Sequence, residues 1–254
     1  MSDLTLTLVQ SELAWEQRKT NLDRFAARLQ PLAGTTDLVI LPEMFSTGFT
    51  MNAGPLAEDL KGPTLDWMRA MARQLRADIT GSVIIREGGA FYNRLLWVKS
   101  DGAFRSYDKC HLFRMSGEHD VYAAGRELLT VTLKGWRLRP FICYDLRFPI
   151  WCRNRHQAYD LAIFVANWPS ARAAHWRTLL RARAIENQSY VAGVNCVGTD
   201  GNGVVYQGDS TVIDPQGVVR HHCDDREEVI TLTLPRQDLD DYRAAFPAWK
   251  DADA

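Results

Sequence analysis

The chain of 254 residues carries 30 Lys plus Arg against 31 Asp plus Glu, and its 46% hydrophobic content is enough for one large core or two small ones. Charged residues make up 24% and aromatic residues 10%, so the composition excludes a mostly disordered protein. A net charge of −1 also argues against broad nucleic-acid binding, which needs a concentrated basic surface.

The start of the chain favours neither export nor membrane insertion. Residues 1–7 contain neither a basic stretch nor the long apolar run of a signal peptide or a membrane span. The five cysteines form no CxxC pair, and an odd number cannot all pair within one chain. We therefore expect a cytoplasmic protein with reduced thiols that does not enter a membrane.

The first third of the chain predicts two alternating strands and helices. Residues 4–10 alternate apolar and polar side chains as in a half-buried strand, and residues 15–32 have helical spacing. Residues 37–41 form a short apolar run before Pro42, which is typical of a strand buried on both faces. Helical spacing returns at residues 64–77, after Gly62 and Pro63.

The remaining sequence predicts mainly strands. We expect strands at residues 79–85, 94–99, 104–107, 129–133, 137–142, 160–166, 190–197, 203–206, 210–214, 218–221 and 229–234. Helices are expected after Pro149 and at residues 175–188. No repeat, linker or low-complexity tract interrupts the pattern, so residues 1–254 are expected to form one domain. This order predicts an α/β fold with two sheets packed face to face and helices outside.

Three segments place a reactive side chain directly beyond a predicted strand: Glu43, Lys109 and Cys143. Strand ends at the same edge of a sheet converge, so we expect these residues to form an acyl-transfer site. Cys143 would be the nucleophile and Glu43 the base that takes its proton. Lys109 and the backbone N–H of Tyr144 would stabilise the oxyanion. Glu43 would later protonate the leaving amine and deprotonate water.

Each of these residues also has a plainer interpretation. A cysteine after an apolar strand is often a small buried hydrophobic residue. Glu43 would also suit the cap of a helix or turn, and Lys109 would suit the exposed surface of an edge strand. Their joint occurrence after three predicted strands favours the catalytic interpretation. Nearby, we expect Asp145 to accept a local hydrogen bond and His111 to have a structural role.

The three segments resemble the signature blocks of the nitrilase superfamily of carbon–nitrogen hydrolases, in the order Glu, Lys, Cys. Further similar segments extend the resemblance over nearly the whole chain. Within the superfamily, the sequence is most similar to bacterial omega-amidases, which hydrolyse 2-oxoglutaramate and the keto-amide derived from methionine. The similar segments are Leu41-Pro42-Glu43, Tyr107-Asp108-Lys109-Cys110-His111-Leu112-Phe113, Cys143-Tyr144-Asp145-Leu146-Arg147-Phe148-Pro149, Asn167-Trp168-Pro169, Arg183-Ala184-Ile185-Glu186-Asn187, Gly208-Asp209-Ser210 and Asp214-Pro215-Gln216-Gly217.

The resemblance implies a four-layer αββα sandwich, homodimers, no metal, and a cofactor-free triad of Glu43, Lys109 and Cys143. It also implies a second glutamate beyond the lysine segment. Glu118 fits that position, where it would orient Lys109 or the substrate. Cys110 departs from the pattern of the superfamily, and we expect it to pack on the face opposite Lys109.

The implied small-molecule substrate is a 2-oxo acid amide, whose carboxylate must be held away from the scissile amide. Arginine is the natural bidentate partner of a carboxylate, and Arg172 is our candidate. Phe45, Phe49 and Trp168 are expected to form apolar walls. Arg147, four residues after the nucleophile, is expected to pair with a structural carboxylate instead.

Other functions remain open from the sequence alone. A metal-dependent phosphoesterase would need a late ligand cluster, and the segment at residues 221–225 has no second ligand group at a useful spacing. A noncatalytic binding protein would not need the three filled triad positions. A nitrilase or an N-carbamoyl amidohydrolase would share the same triad, so only the pocket distinguishes these activities.

Overall fold

Two six-stranded sheets form the centre of the protein, for which a computed structural model describes residues 2–251. Strands and helices are numbered in chain order. In spatial order, the first sheet contains β14 (Glu228–Leu234), β1 (Leu4–Gln10), β2 (Leu38–Ile40), β3 (Asp78–Glu87), β4 (Ala90–Val98) and β5 (Phe104–Asp108). The second contains β13 (Val219–His222), β12 (Thr211–Ile213), β9 (Tyr190–Val194), β8 (Leu161–Val165), β7 (Trp136–Ile142) and β6 (Val131–Leu133).

Helices cover the outer faces, and a small ribbon of β10 (Val197–Thr199) and β11 (Val205–Gln207) lies apart from both sheets. The longer helices are α1 (Arg18–Leu29), α3 (Pro63–Leu75), α6 (Ala173–Asn187) and α7 (Arg236–Ala245). The short helices are α2 (Ala53–Leu56), α4 (Glu118–Val121) and α5 (Pro149–Cys152). Within residues 2–251, no helix combines the length and the apolar composition needed to cross a membrane.

The two sheets pack face to face through one large apolar core. Leu8 and Trp97 of the first sheet belong to the same buried cluster as Phe141 and Phe164 of the second. Burial of such side chains is the main favourable contribution to folding, at about 25 cal/mol per Å² of apolar surface. The packing confirms the predicted α/β fold with two stacked sheets.

The helix layers are held by separate contacts on the outer faces. Phe25 of α1 and Met68 of α3 are buried against the first sheet. On the second sheet, α6 approaches β9 so closely that a Cβ on Gly193 would lie 2.5 Å from Cδ1 of Leu180. Helices on both sides of two sheets give the expected αββα order of layers.

The first strand differs from its prediction. β1 is buried on both faces, because Leu6 and Leu8 pack into the core shared with the second sheet while Val9 belongs to the cluster under the outer helices. Thr5 and Thr7, whose alternation with apolar residues predicted an exposed face, form side-chain hydrogen bonds with threonines of β14. Oγ1 of Thr7, for example, lies 2.7 Å from Oγ1 of Thr231.

Parallel pairing brings several strand ends to one edge of each sheet. β1, β2 and β3 run parallel in the first sheet, and β7, β8 and β9 run parallel in the second. β5 is antiparallel to β4, which is antiparallel to β3, so the ends of β3 and β5 point the same way. The segments after these strands carry the candidate site.

Candidate active site

Glu43 and Lys109 meet directly at the ends of β2 and β5. Nζ of Lys109 lies 2.8 Å from Oε1 of Glu43, and both side chains are buried. The predicted neighbour Cys143 follows β7 and lines the same cavity as Lys109. The fold therefore brings together the three residues that the sequence singled out.

The backbone at Cys143 is in an unusual conformation. Cys143 has φ +44°, a region that non-glycine residues rarely adopt and that is enriched at functional sites. Asp145, two residues later, holds this turn by accepting from the backbone N–H of Ile142 at 3.0 Å and the hydroxyl of Tyr107 at 2.6 Å. It also lies 2.8 Å from Nδ1 of His111, so both residues have the structural positions expected of them.

Tyr144 is the second residue of the 3₁₀ turn that begins at Cys143. The first N–H groups of a helical turn have no partner within the turn, so they are free to meet a substrate oxygen. Tyr144 lines the cavity beside Cys143.

A second carboxylate completes the surroundings of the lysine. Both oxygens of Glu118, in α4, lie 3.0 Å from Nζ of Lys109. The backbone N–H of Phe113 donates to Oε2 of Glu118 at 2.6 Å. Lys109 is therefore enclosed by two buried carboxylates.

Two asparagines in the site were not predicted as functional residues. Nδ2 of Asn93, in β4, donates to Oε1 of Glu43 at 2.7 Å and to Oε1 of Glu118 at 3.2 Å. The backbone N–H of Asn167 donates to Oε2 of Glu43 at 2.8 Å. Asn167 belongs to a segment noted for its similarity, but the role of Asn93 depends on strand register, which the sequence does not reveal.

Burial and neighbouring charges set the protonation of the site. Burial disfavours the Lys109 ammonium, but the charges of Glu118 and Glu43 outweigh that effect and raise its pKa above the usual value. Burial, together with the charge of Glu43, raises the pKa of the Cys143 thiol well above its usual value. Burial also raises the pKa of Glu118. At neutral pH the resting site thus contains a thiol and an ammonium.

A cavity of about 740 Å³ opens onto these groups. Phe49, Trp168 and Arg172, which are predicted to contact the substrate, line it. Phe45 does not. Its ring is buried behind the first sheet, 5.6 Å from that of Phe25, so the prediction of a wall at Phe45 is wrong.

Two arginines give the cavity positive charge. The guanidinium of Arg172 lies 5.3 Å from the ring centre of Phe113. Arg147 lies 4.9 Å from the ring centre of Trp168 and donates to Nδ1 of His175 at 2.9 Å. Within residues 2–251, neither forms a salt bridge with a carboxylate. The prediction of a structural carboxylate for Arg147 is wrong, because the turn after Cys143 directs its side chain to the cavity.

Two further groups lie outside the cavity. Cys110 is partly exposed, and burial with the charge of Asp145 raises its pKa to about 11. Ligand atoms of His221, Cys223 and Glu228 lie within 4.8 Å of one another. The expectation that residues 221–225 lack a further ligand group is therefore wrong, because β14 brings Glu228 to β13. The cluster does not line the cavity, so it supplies no metal ligand beside Cys143.

Known proteins resemble this chain over its full length. It is 48% identical over 256 residues to omega-amidase YafV of Escherichia coli (strain K12), covering 100% of this chain and 98% of that protein. It is 30% identical over 251 residues to 2-oxoglutaramate amidase of Bacillus subtilis (strain 168), covering 97% and 96%. A crystal structure from Xanthomonas campestris, of a CN-hydrolase superfamily protein with an arsenic adduct in the active site, matches with a TM-score of 0.98 at 52% identity, covering 100% and 98%.

The match to a family model spans most of the chain. The carbon–nitrogen hydrolase model matches residues 5–244, which include every strand except the first residue of β1. The resemblance to this group of hydrolases is confirmed by that match and by the similarity to bacterial amidases. The chain belongs to the carbon–nitrogen hydrolase family.

Proposed function

We propose that the protein is an omega-amidase that hydrolyses the terminal amide of 2-oxo acid amides to the 2-oxo acid and ammonia. The substrates would include 2-oxoglutaramate, 2-oxosuccinamate and the keto-amide derived from methionine. The observation that carries the chemistry is the Lys109 ammonium, held by two buried carboxylates in the cavity that contains Cys143. The full-length similarity to proteins named for this activity supports the substrate class.

The first half of the reaction forms a thioester. Glu43 takes the proton of the Cys143 thiol as the sulfur attacks the amide carbon, so no free thiolate is needed in the resting enzyme. Negative charge develops on the former carbonyl oxygen, and the Lys109 ammonium and the Tyr144 N–H stabilise it. The tetrahedral intermediate collapses as the carbon–nitrogen bond breaks, and Glu43 returns the proton to the leaving ammonia.

The second half releases the acid. Water attacks the thioester carbon while Glu43 accepts its proton, and the carbon–sulfur bond then breaks. The proton passes from Glu43 to the sulfur, which restores the thiol. Glu118 keeps the Lys109 ammonium in position through both halves, since both of its oxygens lie 3.0 Å from Nζ. The steps use only side chains, backbone and water.

The two cavity arginines support an anionic substrate. Neither guanidinium is neutralised by a carboxylate within residues 2–251, although both line the cavity. A 2-oxo acid carboxylate is a natural partner for such a group, because the guanidinium donates two parallel hydrogen bonds. We assign this role to Arg172, with Phe49 and Trp168 as apolar walls.

An ammonia-release screen tests the proposal. The purified protein is assayed with 2-oxoglutaramate, 2-oxosuccinamate, the methionine-derived keto-amide, glutamine, an N-carbamoyl amino acid and simple nitriles. We expect the highest kcat/KM with the 2-oxo acid amides. Activity confined to nitriles or to the N-carbamoyl compound would overturn the proposal in favour of those activities.

We further propose that the enzyme is one domain over residues 1–254 and acts as a homodimer in the cytoplasm. All five cysteines are free thiols, which fits a reducing compartment. Ile150 in α5 is 82% exposed and Ile185 in α6 is 48% exposed, and both lie on the helix layer of the second sheet. Sedimentation analysis should give a dimer for the native protein and a monomer for Ile150→Asp. A native monomer would exclude the homodimer.

A further inference from the structure

We propose that Asn93 is a positioning residue whose side-chain amide holds Glu43 and Glu118 on either side of the Lys109 ammonium. The inference rests on the proposed function for the identity of the reacting groups. It adds a residue that the triad and its second glutamate do not include.

Strand register places Asn93 beside Lys109. The backbone N–H of Lys109 donates to the carbonyl oxygen of Asn93 at 3.0 Å, and the adjacent residues Arg94 and Asp108 are paired across β4 and β5. Cross-strand neighbours project their side chains to the same face of a sheet. The amide of Asn93 and the ammonium of Lys109 therefore reach the same two carboxylates.

The two polar atoms of the Asn93 side chain differ in their hydrogen bonding. Its Nδ2 has two hydrogens, and it donates to Oε1 of Glu43 and to Oε1 of Glu118. Its Oδ1 is buried and has no hydrogen-bond partner within residues 2–251. An unsatisfied buried carbonyl is costly and rare, so its presence calls for a compensating role. Two bonds to ionised carboxylates provide that compensation, because such bonds are stronger than neutral ones.

The carboxylates fix the orientation of the amide. If the amide of Asn93 were rotated by half a turn, its oxygen would face Glu43 and Glu118, and three acceptors would oppose one another. Asn93 is thus held as a donor while both carboxylates are ionised. It stabilises the charged forms without adding a charge to the buried site.

Within residues 2–251, Lys109 is the other side chain that donates to both Glu43 and Glu118. The ionisable groups near enough for their charges to interact with Glu43 or Glu118 include Lys109 after β5, Cys143 after β7, Tyr122 after α4, Cys196 between β9 and β10, and Tyr206 in β11. Burial raises the pKa of the thiols and phenols in this set, so they stay neutral at neutral pH. Lys109 is the cation among them, and Asn93 supplies a neutral donor that serves both carboxylates.

Loss of this donor should make the carboxylates easier to protonate. Asn93→Leu removes both hydrogen bonds at nearly constant size. The acid limb of the kcat/KM profile should then move to higher pH by about one to two units, as expected for losing charge-assisted hydrogen bonds. We expect kcat to fall more than KM changes, because Asn93 does not line the cavity. Asn93→Ser keeps one hydrogen-bond donor and should shift the acid limb by a smaller amount. This variant serves as the test if Asn93→Leu does not fold.

Asn154→Leu is the matched control. Asn154 is a buried asparagine whose Nδ2 donates to the carbonyl oxygens of Tyr159 and Asn187, and it does not line the cavity. This variant should lower the melting temperature without moving the acid limb. A purely structural role for Asn93 predicts the same outcome for Asn93→Leu.

Alkylation separates this inference from the proposed function. The rate of Cys143 modification by iodoacetamide is followed against pH by peptide mass spectrometry. We expect this rate to depend on Glu43, which would take the thiol proton, and it involves no amide substrate. Its acid limb should also move to higher pH in Asn93→Leu. Superposition of the variant and native profiles in both reactions would overturn the role of Asn93. A shifted alkylation profile in a protein that hydrolyses none of the tested amides would support Asn93 while refuting the omega-amidase proposal.

Discussion

Asn167 holds Glu43 through two hydrogen bonds that join the two sheets. Its backbone N–H donates to Oε2 of Glu43 at 2.8 Å, and its side-chain amide donates to the Glu43 carbonyl oxygen at 2.6 Å. Glu43 follows β2 of the first sheet, whereas Asn167 follows β8 of the second. Residues after both sheets therefore hold the proposed base in place. The proposed nucleophile, Cys143, follows β7 of the second sheet.

Replacement of the proposed nucleophile should abolish turnover. Cys143→Ala removes the atom that forms the thioester, and we expect kcat to fall by at least about 10⁴-fold with little change in stability. The measurement is ammonia release from 2-oxoglutaramate. Cys110→Ala is the control and should retain activity, since Cys110 lies outside the cavity. The reverse result would make Cys110 the nucleophile.

Removal of the buried cation should destabilise the protein. Lys109→Met leaves Glu43 and Glu118 without their common partner, and breaking such a buried pair costs about 3–5 kcal/mol. The loss should be largest above neutral pH. Without the ammonium the carboxylates hold protons more tightly in the folded state than in the unfolded chain, so stability falls as pH rises through their folded pKa.

Urea denaturation at pH 5 and pH 8 measures this effect. Lys134→Met is the control, because Lys134 pairs with Asp37 at a partly exposed position. Exposed pairs contribute at most about 1 kcal/mol. Equal small losses of unfolding free energy in both variants would show that Lys109 does not stabilise the fold by pairing with Glu43 and Glu118.

The alkaline side of the pH profile should lie far from neutral pH. The charges of Glu118 and Glu43 outweigh burial and raise the pKa of Lys109, while burial raises the pKa of Cys143. Both groups therefore keep their protons above their usual values of 10.5 and 9.0. We expect kcat/KM to stay constant from about pH 7 to 9. A decline that begins below about pH 8 would contradict these protonation states.

The carboxylate of the substrate should depend on Arg172. Arg172→Ala should raise KM for 2-oxoglutaramate about 10- to 100-fold, the range expected for losing a charge-assisted hydrogen bond. Hydrolysis of an uncharged amide such as propionamide should be unchanged. Arg177→Ala is a matched control, because Arg177 pairs with Asp209 and does not line the cavity. Retained affinity for 2-oxoglutaramate in Arg172→Ala would eliminate this assignment.

The sequence predicted the positions of Glu43, Lys109 and Cys143 because each directly follows a strand that hydrophobic patterns reveal. It did not predict Asn93, whose contacts depend on the register between β4 and β5. Such register is set by pairing partners that a single segment does not specify.

Two local details also escaped prediction. Met44 has φ +43°, and the next N–H donates to the carbonyl oxygen of Ser82, so Phe45 turns back into the core. Helix α7 has little apolar character and was not predicted. Buried arginines attach it instead, since Arg236 and Arg243 both form salt bridges with Asp160, which directly precedes β8 of the second sheet.

Detection of the thioester tests the central claim most directly. The protein is mixed with 2-oxoglutaramate, quenched in acid within the first turnovers, and digested for peptide mass spectrometry. We expect a 2-oxoglutaryl group on the peptide that carries Cys143, and hydroxylamine should intercept it as the hydroxamate. Steady ammonia release with no acyl group on Cys143 and no hydroxamate would contradict the account.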